Sequence, residues 1–143
     1  MMKRLRNQRG AALLETAITI PIVLVVSVSI FEFGRAYQTW QVLTNAAREG
    51  ARVAVLTETT DAQVTTAVKN YMTSGKLPAA ASATVTVERA IPFAGVNTAS
   101  RVTVSYPFSF VVLNPVMRLI SKGTTTGQGV TTMSSIATMR NES

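Results

Sequence analysis

The longest apolar stretch of the chain lies near its N-terminus, between Gly10 and Phe31. Glu15 is the one charged residue from Ala11 to Phe31, and four cations precede the stretch within nine residues. At 1.5 Å per residue, a helix of this length spans roughly 31 Å, which is close to the hydrocarbon thickness of a bilayer. The pattern therefore predicts a transmembrane helix over residues 11–31. Pro21 lies inside it, where a missing hydrogen bond predicts a kink.

After Phe31 the helical period continues to about residue 57, but the sequence becomes amphipathic. Tyr37 and Trp40 also suit an aromatic belt at the membrane surface. Small residues spaced by four, Ala46, Gly50 and Ala54, allow close backbone approach, either to the domain's own sheet, which we favour, or to another helix. The predicted apolar stripe consists of Phe33, Ala36, Tyr37, Trp40, Leu43, Ala47, Gly50, Ala51, Ala54 and Val55.

The C-terminal part combines one short helix with strand-like alternation. Thr60 and Gln63 have the spacing of a capping box, and the following helical period ends near Ser74 and Gly75. Alternating residues predict strands at 83–89, 101–106 and 130–140, with a loop at 92–97. Pro107 places the second strand at a sheet edge or ends it.

We therefore expect an α+β fold. A long N-terminal helix, transmembrane and then periplasmic, precedes a second short helix and a small antiparallel sheet of three to four strands. An apolar cluster at 108–120 either connects elements over the sheet or contacts a subunit or membrane. The predicted segments are a basic leader at 1–10, the membrane span at 11–31, its periplasmic continuation at 32–57 and a small domain at 58–143.

The flanking charges predict the orientation of the span. Cytoplasmic flanks carry the excess of Lys and Arg, so the basic N-terminus should stay in the cytoplasm and the C-terminal domain should be exported. A cleaved secretory signal peptide, with a small-residue site near Ser27 and Ser29, is the alternative.

Composition excludes several functions. The net charge is +7, but four of the fourteen cations lie in the first nine residues, and no basic cluster with interleaved aromatics remains. We therefore expect no nucleic-acid binding. The chain has no Cys and no His, and its single Asp, Asp61, suits a helix cap. The Glu residues are scattered, so we expect no catalytic, metal or cofactor site, no small-molecule substrate and no enzymatic activity.

Glu15 needs a partner in the membrane, since a carboxylate at the bilayer centre is unfavourable by about 2.5–3.5 kcal/mol and less so near the edge. Cleavage after Gly10 would give Ala11 an ammonium group, which could pair with Glu15 of a neighbouring subunit. Snorkelling of Glu15 towards the headgroups is the alternative.

A basic leader, a Gly, an apolar stretch and a Glu five residues later resemble the type IV prepilin class. The resemblance implies that prepilin peptidase cleaves between Gly10 and Ala11. The class often has an aromatic residue after this Glu, where the present chain has Thr16.

A second resemblance combines RGAALLETAITIPIVL with a later signature made of Ala46, Ala47, Arg48, Glu49, Gly50, Ala51 and Arg52. Together they resemble the TadE-like family of the tight-adherence (Tad) pilus system. This implies a minor pilin or pseudopilin of a type IVc pilus, located in the bacterial inner membrane and involved in pilus assembly and adhesion. The implied partners are membrane lipid, prepilin peptidase, other pilins and the Tad secretion platform. Two alternatives remain, an uncleaved single-pass accessory protein of that platform and a soluble secreted domain.

Overall fold

One helix dominates the architecture. The computed structural model describes residues 3–93, 97–115 and 130–141, with side chains from Gly10 onward except near the turn after residue 92. The first helix, α1, runs from Lys3 to Ala54 without interruption over 52 residues. Its length is about 78 Å at 1.5 Å per residue, more than twice what a bilayer core requires. The predicted continuation of the apolar helix into an amphipathic one is confirmed.

The second helix, α2, spans Asp61–Ser74 and begins at the predicted capping box. The Thr60 hydroxyl accepts from the Gln63 backbone N–H at 3.3 Å, and the Gln63 side chain accepts from the Thr60 N–H at 2.8 Å. The Thr60 N–H would otherwise lack a partner inside the helix, whereas the Gln63 N–H also donates to Thr60 O at 3.0 Å.

The end of α2 depends on Gly75 for space. A Cβ on Gly75 would lie 2.6 Å from Val42 Cγ1 of α1, so a side chain there would push the two helices apart. The left-handed conformation falls on the next residue, Lys76, with φ 58°. A short 3₁₀ turn, Ala80–Ser82, then leads into the sheet.

The sheet contains three antiparallel strands among the described residues: β1 (Thr84–Phe93), β2 (Asn97–Phe108) and β3 (Thr131–Arg140), in the order β1-β2-β3. The predicted α+β class is confirmed. Both of the first two strands are longer than predicted, so the predicted loop at 92–97 is shorter, and its centre, 94–96, lies outside the described residues.

Pro107 lies in the central strand, one residue before that strand ends at Phe108, so the first predicted alternative, an edge strand, was wrong. Pro107 pairs with Thr132 of β3, whereas the pairing of β2 with β1 stops at Ser105 opposite Thr84. At Pro107 the strand therefore has a neighbour on one side only. A missing N–H is tolerated there because no β1 residue lies opposite it.

The core lies between α1, α2 and one face of the sheet. α1 supplies mostly small residues, α2 supplies one side of its helix, and β2 supplies alternate large residues. The buried apolar residues of the described chain are Leu43, Ala46, Ala47, Ala51, Ala54, Val64, Val68, Met72, Leu77, Ala80, Ala83, Ala99, Val102, Val104, Tyr106 and Phe108.

The first part of the predicted stripe on α1 was misplaced. Phe33, Tyr37 and Trp40 are exposed, with 65%, 62% and 47% of their surface accessible. Glu32 and Thr39 are buried in their place. At 100° per residue, positions 32, 39, 43, 46 and 50 share one narrow face, and the aromatic residues lie on its flank. Hydrophobicity alone placed the core face towards the wrong side of the helix.

Candidate functional site: the long helix

The N-terminal half of α1 has no cover from the rest of the chain. Every residue from Gly10 to Val26 is exposed, including Leu13, Ile18 and Ile22. Within the described residues, α1 is the one helix that is long and apolar enough to cross a membrane. Because burying apolar side chains away from water is strongly favourable, this surface requires lipid or other apolar helices around it. α1 is a candidate membrane span.

Glu15 lies on this uncovered surface. It is one helical turn after Ala11, about 6 Å into the apolar run. Among the side chains described from Gly10 onward, none forms an ion pair with its carboxylate. A charge near the edge of the hydrocarbon is less costly than one at its centre, but it still favours an opposite charge close by. The pairing of Glu15 with the ammonium group of Ala11 therefore stays a prediction.

The hydroxyl groups of the span bond within their own helix. Thr16 donates to Ala12 O at 2.8 Å and Thr19 to Glu15 O at 2.7 Å, and Ser27 and Ser29 do the same one turn back. This local bonding satisfies the hydroxyl groups without a second helix. α1 continues through Pro21, and the kink expected there stays a prediction. The same holds for the leader and its cleavage between Gly10 and Ala11.

The predicted signature on α1 divides into a buried half and an exposed half. Ala46, Ala47, Gly50 and Ala51 are buried, and a Cβ on Gly50 would lie 2.5 Å from Val68 Cγ2 of α2 and 3.1 Å from Val102 Cγ1 of β2. The small residues therefore bring α1 against both the sheet and α2. This confirms the favoured sheet contact and adds α2 to it.

The charged half of the signature forms a local pair on the outer face. Arg52 donates two hydrogen bonds to Glu49, at 2.7 and 3.0 Å. The bidentate contact with the Arg52 guanidinium lowers the pKa of Glu49 and raises the pKa of Arg52. Arg48 and Arg52 are both exposed, so the Glu49–Arg52 pair and a second cation lie on an accessible surface.

A buried carboxylate at the start of the C-terminal half of α1 was missed from the sequence. Glu32 is 0% exposed, accepts from the Val112 backbone N–H at 2.6 Å and pairs with Arg35 at 3.1 Å. Arg35 also donates to Ser109 O at 3.4 Å, and its guanidinium lies over the Phe108 ring, 5.3 Å from the centroid. The spacing of Glu32 and Arg35, three residues apart directly after the apolar run, was the available signal. These contacts fasten the loop after β2 to α1.

Arg89 was also missed, and it joins three elements at the opposite end of the domain. It donates to Ala54 O at 2.9 Å, to Thr59 O at 2.8 Å and to Asp61 Oδ1 at 2.8 Å. The pairing of β1 with β2 shifts between Glu88 and Ile91, and such a bulge redirects side chains. The guanidinium of Arg89 lies at the C-terminal end of α1, where the negative end of the helix dipole stabilises a cation. Only the fold brings these partners together, across 28 to 35 residues.

Comparison with known families bears on the predicted family resemblance of α1. Residues 10–52 match the family described as TadE-like protein. Over these residues the chain is similar to that family. The predicted resemblance is thereby confirmed for the segment from the predicted cleavage site to Arg52, and the match indicates a protein associated with the Tad pilus. No curated protein and no solved structure matches the chain.

Proposed function

We propose that the chain is a minor pilin or pseudopilin-like subunit of a Tad pilus, a structural protein of pilus assembly and adhesion rather than an enzyme. α1 crosses the bacterial inner membrane with its basic N-terminus in the cytoplasm, and the α+β domain lies in the periplasm. Prepilin peptidase removes the leader between Gly10 and Ala11. Partner pilins and the secretion platform then contact the mature subunit.

The observation that carries the proposal is the arrangement of the TadE-like α1. An uncovered apolar half with one acidic side chain, Glu15, continues without a break into a half that is packed into a folded domain. A rigid connection of this kind suits a subunit that moves from the membrane into a filament, since apolar helices of neighbours can replace the lipid. The ammonium group of Ala11 then supplies the cation that Glu15 favours.

Substitution of Glu15 tests the proposal against the alternatives. Glu15→Ala should abolish incorporation into sheared pili, measured by immunoblot, while the amount in the membrane fraction stays at the wild-type level. Thr16→Ala is the matched control, because Thr16 is its exposed neighbour and bonds only within α1. An uncleaved accessory protein would tolerate or gain from Glu15→Ala, and that result would contradict the proposal. Recovery in the soluble fraction would indicate a secreted domain instead.

A further inference from the structure

The end of the domain nearest the span is built from four parts of the chain. They are the first turns of α1 after Phe31, the segment after α2, the end of β2 and the loop that follows it. The hydrogen bond from Val112 to Glu32 fixes the height of that loop, because Glu32 is the next residue after the apolar run. The domain therefore begins at the hydrocarbon edge, without a spacer. Val111 directly precedes Val112 and has 59% of its surface exposed.

A pocket of about 200 Å³ opens at this end. Its walls include Arg35, Gln38, Thr39, Lys76, Tyr106 and Phe108. None of the described residues that line it is acidic. Arg35 is partly compensated by Glu32, whereas Lys76 is exposed and forms no ion pair among the described side chains. The pocket thus combines two cations, polar donors and an aromatic wall, a set that suits an anionic group with an apolar attachment.

The lower wall of the pocket lies at the height of the headgroup layer. Arg35 lies four residues beyond Phe31, about 6 Å above the hydrocarbon edge, and Thr39 lies about 12 Å above it. The polar layer of a bilayer is about 5–8 Å thick on each side, so Arg35 lies within it and Thr39 lies above it. The flexible side chain of Lys76 can extend from the far wall towards this layer.

We propose that the domain rests on the membrane surface and that this pocket holds the phosphate of an anionic phospholipid. Arg35 and Lys76 contact the phosphate, and Val111 inserts among the lipid chains beside α1. The lipid surface is the occupant because the pocket is continuous with the membrane-spanning surface of the same helix. The inference requires that α1 crosses the membrane, but it requires neither leader cleavage nor pilus assembly.

A depth measurement tests the placement of Val111. The chain has no Cys, so Val111→Cys gives a single labelling site in the full chain in lipid nanodiscs. Thr138→Cys is the matched control, because Thr138 is exposed and pairs with Arg101, seven residues and roughly 23 Å along β2 from Phe108. A spin label at 111 should be accessible to oxygen and protected from a water-soluble relaxation agent, and one at 138 should show the reverse. Equal accessibility of both labels to the water-soluble agent would overturn the proposal.

Lipid selectivity tests the pocket. The full chain is released from nanodiscs with equal phosphatidylglycerol and phosphatidylcholine, and retained lipids are counted by native mass spectrometry. The wild type should retain phosphatidylglycerol preferentially, and Lys76→Gln should lower that preference about fivefold, as expected for one Lys at an anionic surface. Arg140→Gln, an exposed cation at the distal end of β3, is the control and should retain the wild-type preference.

A second variant separates loss of charge from loss of fold. Lys76 has φ 58°, which Gly adopts without strain, so Lys76→Gly should fold at least as well as the wild type and still lose the lipid preference. An unchanged preference in both Lys76 variants would overturn the proposal. Binding of inorganic phosphate to the wild type without any preference for phosphatidylglycerol would assign the pocket to a free anion and would overturn the proposal equally.

Discussion

Gly50 and Gly34 provide a matched pair of substitutions within one helix. Both residues lie inside α1, but a Cβ on Gly34 meets nothing within 4 Å, whereas one on Gly50 would meet Val68 Cγ2 at 2.5 Å. Reaching the 3.4 Å of ordinary contact requires α2 or the Val68 rotamer to move by roughly 0.9 Å. Val68 is fully buried and β-branched, so it has little freedom to do so.

The two changes gain the same helix propensity, about 1 kcal/mol, so the difference between them isolates the packing cost. Overpacking of this size costs about 1–3 kcal/mol. Gly34→Ala should stabilise the chain by about 1 kcal/mol, and Gly50→Ala should be less stable than Gly34→Ala by about 1–3 kcal/mol. The assay is urea unfolding in detergent micelles, followed by the fluorescence of the single tryptophan, Trp40. Equal stability of the two variants would refute the assignment of the signature glycine to the helix–sheet–helix contact.

Three further substitutions test the contacts that hold the domain together. Arg89→Met removes two charged hydrogen bonds to backbone carbonyls and should lower the free energy of unfolding by about 2–3 kcal/mol in the same assay. Glu32→Gln keeps an acceptor for Val112 but removes the charge, so amide exchange at Val112 should accelerate about fivefold, or about 1 kcal/mol. Glu49 has a lowered pKa, so its pairing with Arg52 stabilises the fold above the usual value of 4.5 and is lost as the pH falls through the lower native pKa. Because the pair is solvent-accessible, Glu49→Gln should remove only about 0.3–0.5 kcal/mol of acid-dependent stability, measured by thermal unfolding against pH.

Each of these predictions has its own contradicting result. Arg101→Met is the control for Arg89, because among the described side chains Arg101 pairs only with Glu88, at the surface. Equal losses in the two variants would argue against the proposed junction. Unchanged exchange at Val112 in Glu32→Gln would mean that the charge does not hold the loop. If the thermal stabilities of Glu49→Gln and the wild type vary with pH in parallel, the Glu49–Arg52 pair does not contribute to acid-dependent stability.

The elements that depend on local pattern were predictable from the sequence. The apolar run and its amphipathic continuation indicated α1, and Thr60 with Gln63 marked the start of α2, because capping and period are properties of neighbouring residues. The small residues of the signature indicated that the backbone of α1 lies close to another element. Glu15 stood out because a charge inside an apolar run is rare.

The contacts made across the fold were not predictable. Glu32 is buried by a loop 80 residues later, and Arg89 finds carbonyls at the ends of two other segments. Pro107 was predicted to lie on an edge strand or to end its strand, since no local signal shows how far β1 extends along β2. Trp40 was placed in the core stripe because hydrophobicity does not distinguish core from a membrane-facing or partner-facing flank.

The mass of the mature N-terminus tests the central claim most directly. The protein is purified from the membrane fraction of its native cells, and intact mass spectrometry is combined with sequencing of the N-terminal peptide. We predict a chain that begins at Ala11, so that an ammonium group lies one helical turn from Glu15. A chain from the same fraction that still begins at Met1 would contradict it.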